Sequence, residues 1–262
     1  MDNAVSVIPF AFPGITGVRC AFGLGRGPGG KGAGNISLKV GGDPQAAREN
    51  RGKLKQMLGF RAWRSLVQVH GAAMVFDPGA DTLRDGGTVE ADGLATARPG
   101  DALVIKTADC QPILLAHRDG AHIAALHAGW RGNVMNFPGI GVAAFCERYG
   151  LRPKDLMAVR GPSLGPAASE FVLFHEEFGS QFREYYDPAK KTVNLWRLTR
   201  DQLQNAGLPP DAIFGLDLCT ASLPEFYSYR RDKNAGRQAS FIWIDDKEAA
   251  TNRFEPSIRT RP

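Results

Sequence analysis

Two runs near the middle of the chain, Ala102-Leu103-Val104-Ile105-Lys106 and Pro112-Ile113-Leu114-Leu115-Ala116, are short and almost continuously apolar. Neither alternates polar with apolar residues, so each fits a central strand covered on both faces. A sheet built on such strands needs a layer packed against each side. Further strands are expected at 63–69, 72–76, 121–127, 156–160, 213–218 and 239–244. The run from Val5 to Pro13 reads as an opening strand, because two prolines break it and no basic segment precedes it, unlike a signal peptide.

Asp43-Pro44 looks like a helix N-cap followed by proline at the first helical position. The helix it opens is expected to run to Leu58, with Ala47, Leu54, Met57 and Leu58 on one face and Gly59 as its stop. Other helices are expected at 139–149, 168–183 and 195–206. Strands and helices mix without strict alternation, so the expected fold class is α+β. With 262 residues and no internal repeat, one domain over residues 1–247 is expected, with 248–262 as a loosely held tail.

Composition excludes several classes of function. No apolar stretch approaches the ~20 residues that span a bilayer, so no membrane partner is expected. The net charge of +5 is modest and its cations are dispersed, apart from Arg230-Arg231 and Arg259 with Arg261. A nucleic-acid groove would need clustered cations interleaved with aromatics, so no nucleic-acid partner is expected. Cysteines at 20, 110, 146 and 219 form no close-spaced pair, which suits reduced thiols and a cytoplasmic location.

Several familiar patterns fail on context. Gly25-Arg26-Gly27-Pro28-Gly29-Gly30 spells the dinucleotide fingerprint, but no helix begins inside it, and Lys31-Gly32 lacks the hydroxyl of a P-loop. Gly161-Pro162-Ser163-Leu164-Gly165 spells a nucleophile elbow, yet the only later histidine, His175, is twelve residues on; a glycine-proline turn fits better. His175-Glu176-Glu177-Phe178-Gly179 has glycine where a zincin needs its second histidine. His117 and His122 flank the turn Arg118-Asp119-Gly120 and read as strand-end or surface histidines.

What survives is a set of three phrases: Gln68-Val69-His70-Gly71, Thr107-Ala108-Asp109-Cys110, and Leu126-His127-Ala128-Gly129-Trp130-Arg131-Gly132. Each ends an apolar run with a borderline or soft metal ligand. Two imidazoles and a thiolate fill three corners of a tetrahedral zinc site and leave the fourth open, as catalytic zinc requires. The separations of 40 and 17 residues are too long for a zinc knuckle and suit strand ends that converge in space. From spacing alone, a core cysteine with two hydrogen-bonded histidines remains the other reading. Asp92 or Asp109 could orient an imidazole, and Arg131 offers a bidentate anion fork.

These phrases, in this order, resemble the YfiH-like family, also called the multicopper polyphenol oxidoreductase or laccase-domain family and related to human FAMIN. The match also takes in Asn35 to Asp43, Glu49-Asn50-Arg51, Ala91-Asp92-Gly93-Leu94, Gly161-Pro162, Leu218-Cys219-Thr220 and Phe226 to Asp232. The resemblance implies a four-layer α/β/β/α arrangement with mixed sheets, shared distantly with a toxin-type cysteine hydrolase. It implies zinc on His70, Cys110 and His127, with copper as the second candidate metal. It further implies purine nucleoside phosphorolysis on adenosine, inosine and methylthioadenosine with phosphate, and adenosine deamination.

Within that reading, Cys110, His70, His127, Asp109 and Arg131 are the expected catalytic residues, with Asp109 a proton shuttle. Asn35, Arg51, Arg131 and Arg230 are the expected substrate contacts. Two departures from the family pattern stand out: the early Thr-Arg-x-Gly-Gly turn is replaced by Gly23 to Pro28, and Cys-Cys-Tyr-Glu by Ala167-Ala168-Ser169-Glu170. A cysteine hydrolase acting in peptidoglycan editing is the alternative function. Copper-dependent phenol oxidation ranks last, since five histidines cannot supply a multicopper set and no His-Cys-His sequence is present.

Overall fold

The computed structural model describes residues 5–25 and 34–246. Its strands in chain order are β1 (Val7–Phe10), β2 (Val18–Gly23), β3 (Ala62–Ser65), β4 (Met74–Phe76), β5 (Gly93–Thr96), β6 (Asp101–Thr107) and β7 (Gln111–His117). They continue with β8 (Ile123–Ala128), β9 (Leu156–Arg160), β10 (Tyr186–Asp187), β11 (Thr192–Val193), β12 (Ile213–Gly215) and β13 (Gln238–Ile244). The helices are α1 (Pro44–Leu58), α2 (Trp130–Val134), α3 (Phe137–Tyr149), α4 (Phe174–Glu177) and α5 (Leu195–Asn205), with short 3₁₀ turns between elements.

Two mixed sheets carry the architecture. The first has the order β1-β2-β13-β6-β3 and the second β12-β9-β7-β8-β5-β4. The apolar runs 102–106 and 112–116 lie in β6 of the first sheet and β7 of the second, and successive residues of each point to opposite faces. Leu103 and Ile105 meet Leu114 and Ala116 in the core between the sheets. Ala102 and Val104 face outward with Leu54 of α1, Trp63, Phe241 and Trp243. On the other sheet, Ile113 and Leu115 face outward onto Phe137, Val142 and Phe145 of α3 and Leu203 of α5. The result is the expected α+β fold in four layers, α/β/β/α.

Local sequence explains most of the element boundaries. Asp43 accepts hydrogen bonds from Gln45 N and Ala46 N, and Gly59 ends α1 in the left-handed region at φ +78°. The buried face of α1 is Ala47, Asn50, Arg51 and Leu54; Met57, expected there, is exposed. Of the expected helix at 168–183, only the single turn α4 forms, with a 3₁₀ segment from Ser180 to Tyr185. Phe171 N instead donates to Lys191 O, and Gly179 at φ +90° interrupts the segment. Phe171, Phe174 and Phe178 are drawn into an aromatic cluster with Val193, Leu195 and Leu198, so tertiary burial overrides helical spacing.

Gly161-Pro162-Ser163 is a turn after β9, with Ser163 Oγ buried and accepting from Trp196 Nε1 at 2.8 Å. The four cysteines are free, and no helix among the described residues is long and apolar enough to cross a membrane. Most of the glycine-dense loop and the segment 248–262 lie outside the described residues.

Phe241 sits at zero exposure, 5.2 Å from the Trp63 ring and 5.8 Å from Phe60. Phe241→Ala is expected to cost about 3–5 kcal/mol. Urea unfolding of the two proteins measures it; an unchanged midpoint would contradict this account of the outer core.

Candidate metal centre and active site

The register of the second sheet assembles the site. β7 and β8 pair with Pro112 opposite His127, which sets Cys110, just before β7, beside that imidazole. β5 and β8 pair with Gly93 opposite Leu126, so Asp92 lies against His127, whose N–H donates to Asp92 O at 2.8 Å. The chain passes from the first sheet to the second through Ala108-Asp109-Cys110, and Asp109 takes φ +96° to make that crossing. His70 lies in the loop after β3 at φ +60°, a left-handed conformation uncommon for a residue with a side chain.

Asp92 holds that loop. Its carboxylate is fully buried and accepts the backbone N–H groups of Val69 (3.1 Å), His70 (3.0 Å) and Gly71 (2.7 Å). It also pairs with His127 Nδ1 at 2.7 Å. Burial alone would raise this carboxyl, but the hydrogen bonds from His127 and Gly71 outweigh it and the net shift is downward. With Nδ1 committed, His127 presents Nε2 as its free ligand atom. Of the two carboxylates expected as orienting partners, Asp92 has the role.

His70, Cys110 and His127 converge: their ligand atoms all lie within 4.8 Å of one another, with Cys110 Sγ 3.8 Å from His70 Nε2. Tetrahedral zinc with bonds of about 2.0–2.3 Å separates neighbouring ligands by roughly 3.5 Å, so the three fit one ion. Space is reserved beside them. A Cβ on Gly129 would stand 2.8 Å from Cys110 Sγ and 3.2 Å from His70 Cδ2.

The pair Cys110–His127 is polarised. Burial opposes ionisation of the thiol, yet the charge and hydrogen bond of His127, then those of His70, bring it down to about 6. Burial likewise opposes His127, but the Cys110 charge and the Asp92 hydrogen bond lift the imidazole to about 9.

A cavity of about 690 Å³ opens over this centre. Lys39, Arg51, Lys106, Arg131, Arg230 and Arg237 border it, against Asp85, Asp109, Glu170 and Glu177. Arg131 is exposed, stacks on Trp130 at 4.2 Å, and its guanidinium makes no hydrogen bond among the described residues. Arg230 is pinned by Ala168 O and Glu170 O at 2.9 and 3.1 Å. Arg51 is buried, its guanidinium committed to the carbonyls of Ile36, Thr82 and Leu83.

Three expected roles change, the first being that of Arg51, whose guanidinium is spent on those carbonyls and not offered to a substrate. Asn35 is buried behind the wall, with its amide bonded to Ser37, Val40 and Arg237 backbone, so it shapes the loop and offers no group to the cavity. Asp109 borders the cavity, but Thr220 Oγ1 and Arg230 N donate to its two oxygens at 2.6 Å each, a brace between loops. Sequence reasoning missed Lys106, which lies at the end of an apolar strand. Burial first, then Arg51 and Lys39, lower its ammonium to about 8, and Nζ donates to Leu66 O at 2.7 Å. A lone lysine closing a buried strand was the available signal.

The family is equally clear. The chain matches the model of the multi-copper polyphenol oxidoreductase laccase family over residues 23–245, and it belongs to that family. Among its relatives, a purine nucleoside phosphorylase of Pseudomonas aeruginosa is 36% identical, covering 81% of this chain and 86% of the relative. The purine nucleoside phosphorylase YfiH of Escherichia coli is 33% identical, covering 80% and 86%. Of solved structures, YlmD from Geobacillus stearothermophilus superposes with a TM-score of 0.79 at 28% identity, covering 89% of this chain and 94% of that one. A Neisseria meningitidis protein gives 0.78 at 29% identity, covering 92% and 99%.

Asp92→Asn removes the charge that orients His127 while keeping the volume, and is expected to weaken metal binding at the three-ligand centre about 10- to 100-fold. Equilibrium dialysis reads it; unchanged affinity would remove Asp92 from the design. In chelator-treated protein, a thiol held near 6 is expected to stay reactive to iodoacetamide well below the usual thiol range, losing reactivity only as pH falls through about 6. A rate that falls away already below pH 8 would contradict the pairing.

Proposed function

We propose that this chain is a cytoplasmic, zinc-dependent purine nucleoside phosphorylase acting on adenosine, inosine and methylthioadenosine, with adenosine deaminase activity. The observation that carries the reading is one cavity bordered both by a three-ligand metal centre with reserved space and by a cationic wall. Relatives named purine nucleoside phosphorylase support the substrate class.

His70, Cys110 and His127 would hold the metal, which supplies Lewis acidity and an activated water when bound. In phosphorolysis a phosphate oxygen bonds to ribose C1′ as the bond from C1′ to the purine nitrogen breaks, and the departing base takes up a proton. Arg131 is the side chain best placed to hold the phosphate, because its guanidinium is uncommitted, and Lys106 and Arg237 add positive charge to the same cavity.

One observation favours a second reading. Asp92, His127 and Cys110 form an acid–imidazole–thiol line of the kind used by cysteine hydrolases, so amide hydrolysis in peptidoglycan editing is the alternative. Copper-dependent phenol oxidation, which the family label suggests, has the least support in this ligand set.

Incubating zinc-loaded protein with each nucleoside, with and without phosphate, separates the readings by chromatography. Phosphate-dependent release of base and loss of the 6-amino group are expected from wild type, and Cys110→Ser is expected to abolish both. Full activity in that variant would overturn the mechanism, while an acyl-enzyme detected by mass spectrometry in metal-free protein would favour the hydrolase.

A further inference from the structure

Histidine is scarce in this chain, five in all, and four of the five stand in two clusters at opposite ends of one β-ribbon. His70 and His127 serve the centre described above. His117 closes β7 and His122 immediately precedes β8, at the turn remote from Cys110. β7 spans seven residues, which at about 3.3 Å each separates the two clusters by roughly 20 Å.

Between the two rings lies Asp119. Its Oδ2 is 3.0 Å from His117 Nδ1 and 3.0 Å from His122 Nδ1, and the three ligand atoms fall within 4.8 Å of one another. Its other oxygen accepts Ala121 N–H at 2.7 Å, which fixes the carboxylate with Oδ2 toward the imidazoles. The backbone is fixed as well. Gly120 N donates to His117 O, and His117 N to His122 O, both at 3.0 Å. Gly120 takes φ +71°, and a Cβ there would press on Thr16 O at 3.0 Å. The His122 ring rests 5.0 Å from Tyr149. The three ligand atoms are therefore brought together by the turn itself.

One carboxylate oxygen gathers both rings, with His117 Nδ1 and His122 Nδ1 each 3.0 Å from Asp119 Oδ2. In the absence of a metal, ring N–H groups satisfy that oxygen; a divalent ion takes their place with three ligand atoms already gathered round one point. Two imidazoles with one carboxylate select borderline transition metals over calcium or magnesium, which take oxygen ligands. The side chains are 17%, 40% and 23% exposed, in chain order, so an ion can enter from solvent.

We propose that His117, Asp119 and His122 form a second metal site, binding one divalent cation of the zinc and copper type and clipping the β7–β8 turn. The proposal is independent of the reaction at the first centre. Cobalt tells the two sites apart, since Cys110 gives a thiolate charge-transfer band in the near ultraviolet and the turn site, lacking sulfur, gives none.

Chelator-treated full-length protein titrated with cobalt is expected to bind a second equivalent that adds nothing to that band. His122→Gln and Asp119→Asn are expected to lose that equivalent while keeping the band and the phosphorolysis rate; Cys110→Ser is expected to keep the bandless equivalent. Zinc added beyond the first equivalent is expected to raise the melting temperature of wild type but not of Asp119→Asn. Should a variant misfold, proton NMR of wild type still decides, because bound cobalt must shift or broaden the ring protons of His117 and His122. A wild type saturated by one equivalent, a second equivalent that survives both substitutions, or unperturbed His117 and His122 signals would each overturn the site.

Discussion

A single buried carboxylate, Asp92, ties the chemistry of this molecule to its fold. It takes three consecutive backbone N–H groups from the His70 loop and the Nδ1 side of His127. Charge buried without partners costs several kcal/mol, so the loop must close onto Asp92 for the core to form. The left-handed turn at His70 is the geometric result: the backbone bends so that three successive donors reach one acceptor group. A soft-ligand site thus arises from satisfying a carboxylate, with each imidazole aimed by groups that never touch the metal.

Much of this was legible in the sequence, and the reasons differ by element. The doubly covered strands declared themselves because β6 and β7 are apolar on both faces, and α1 because Asp43, Pro44 and Gly59 mark its ends chemically. The ligand triad was legible because each member closes an apolar run of the sequence and borders turn-forming residues. What could not be read was whatever depends on which surfaces meet. Met57 fits the helical face by spacing, but the buried face of α1 turns toward Asn50 and Arg51, which bond to loop carbonyls. The phenylalanines at 171, 174 and 178 have helical spacing, but the helix is only the single turn α4, and it is one aromatic cluster that buries all three.

The polar residues show the same limit. Asn35 and Arg51 lie in family-like phrases, and both turn out to hold loops in place with their side chains spent on backbone partners. Asp109 looked like a proton carrier from its position beside Cys110, yet its two oxygens brace the loops that carry Thr220 and Arg230. Lys106 went unnoticed because strand position normally argues for burial of an apolar group. In each case the residue type was informative and its partners, distant in sequence, decided the role.

β13 occupies the middle of the first sheet, between β2 and β6, although it comes late in the chain. Phe22 therefore waits for Ser240, and Val104 for Phe241, across most of the polypeptide. During synthesis, β2 and β6 must be held apart with unpaired edges until that strand leaves the ribosome. Open edges of this kind invite pairing with other chains, and closing them over so long a loop is slow. Slow closure of the first sheet, and its loss when β13 is deleted, follow from where one strand is inserted, whatever the protein catalyses.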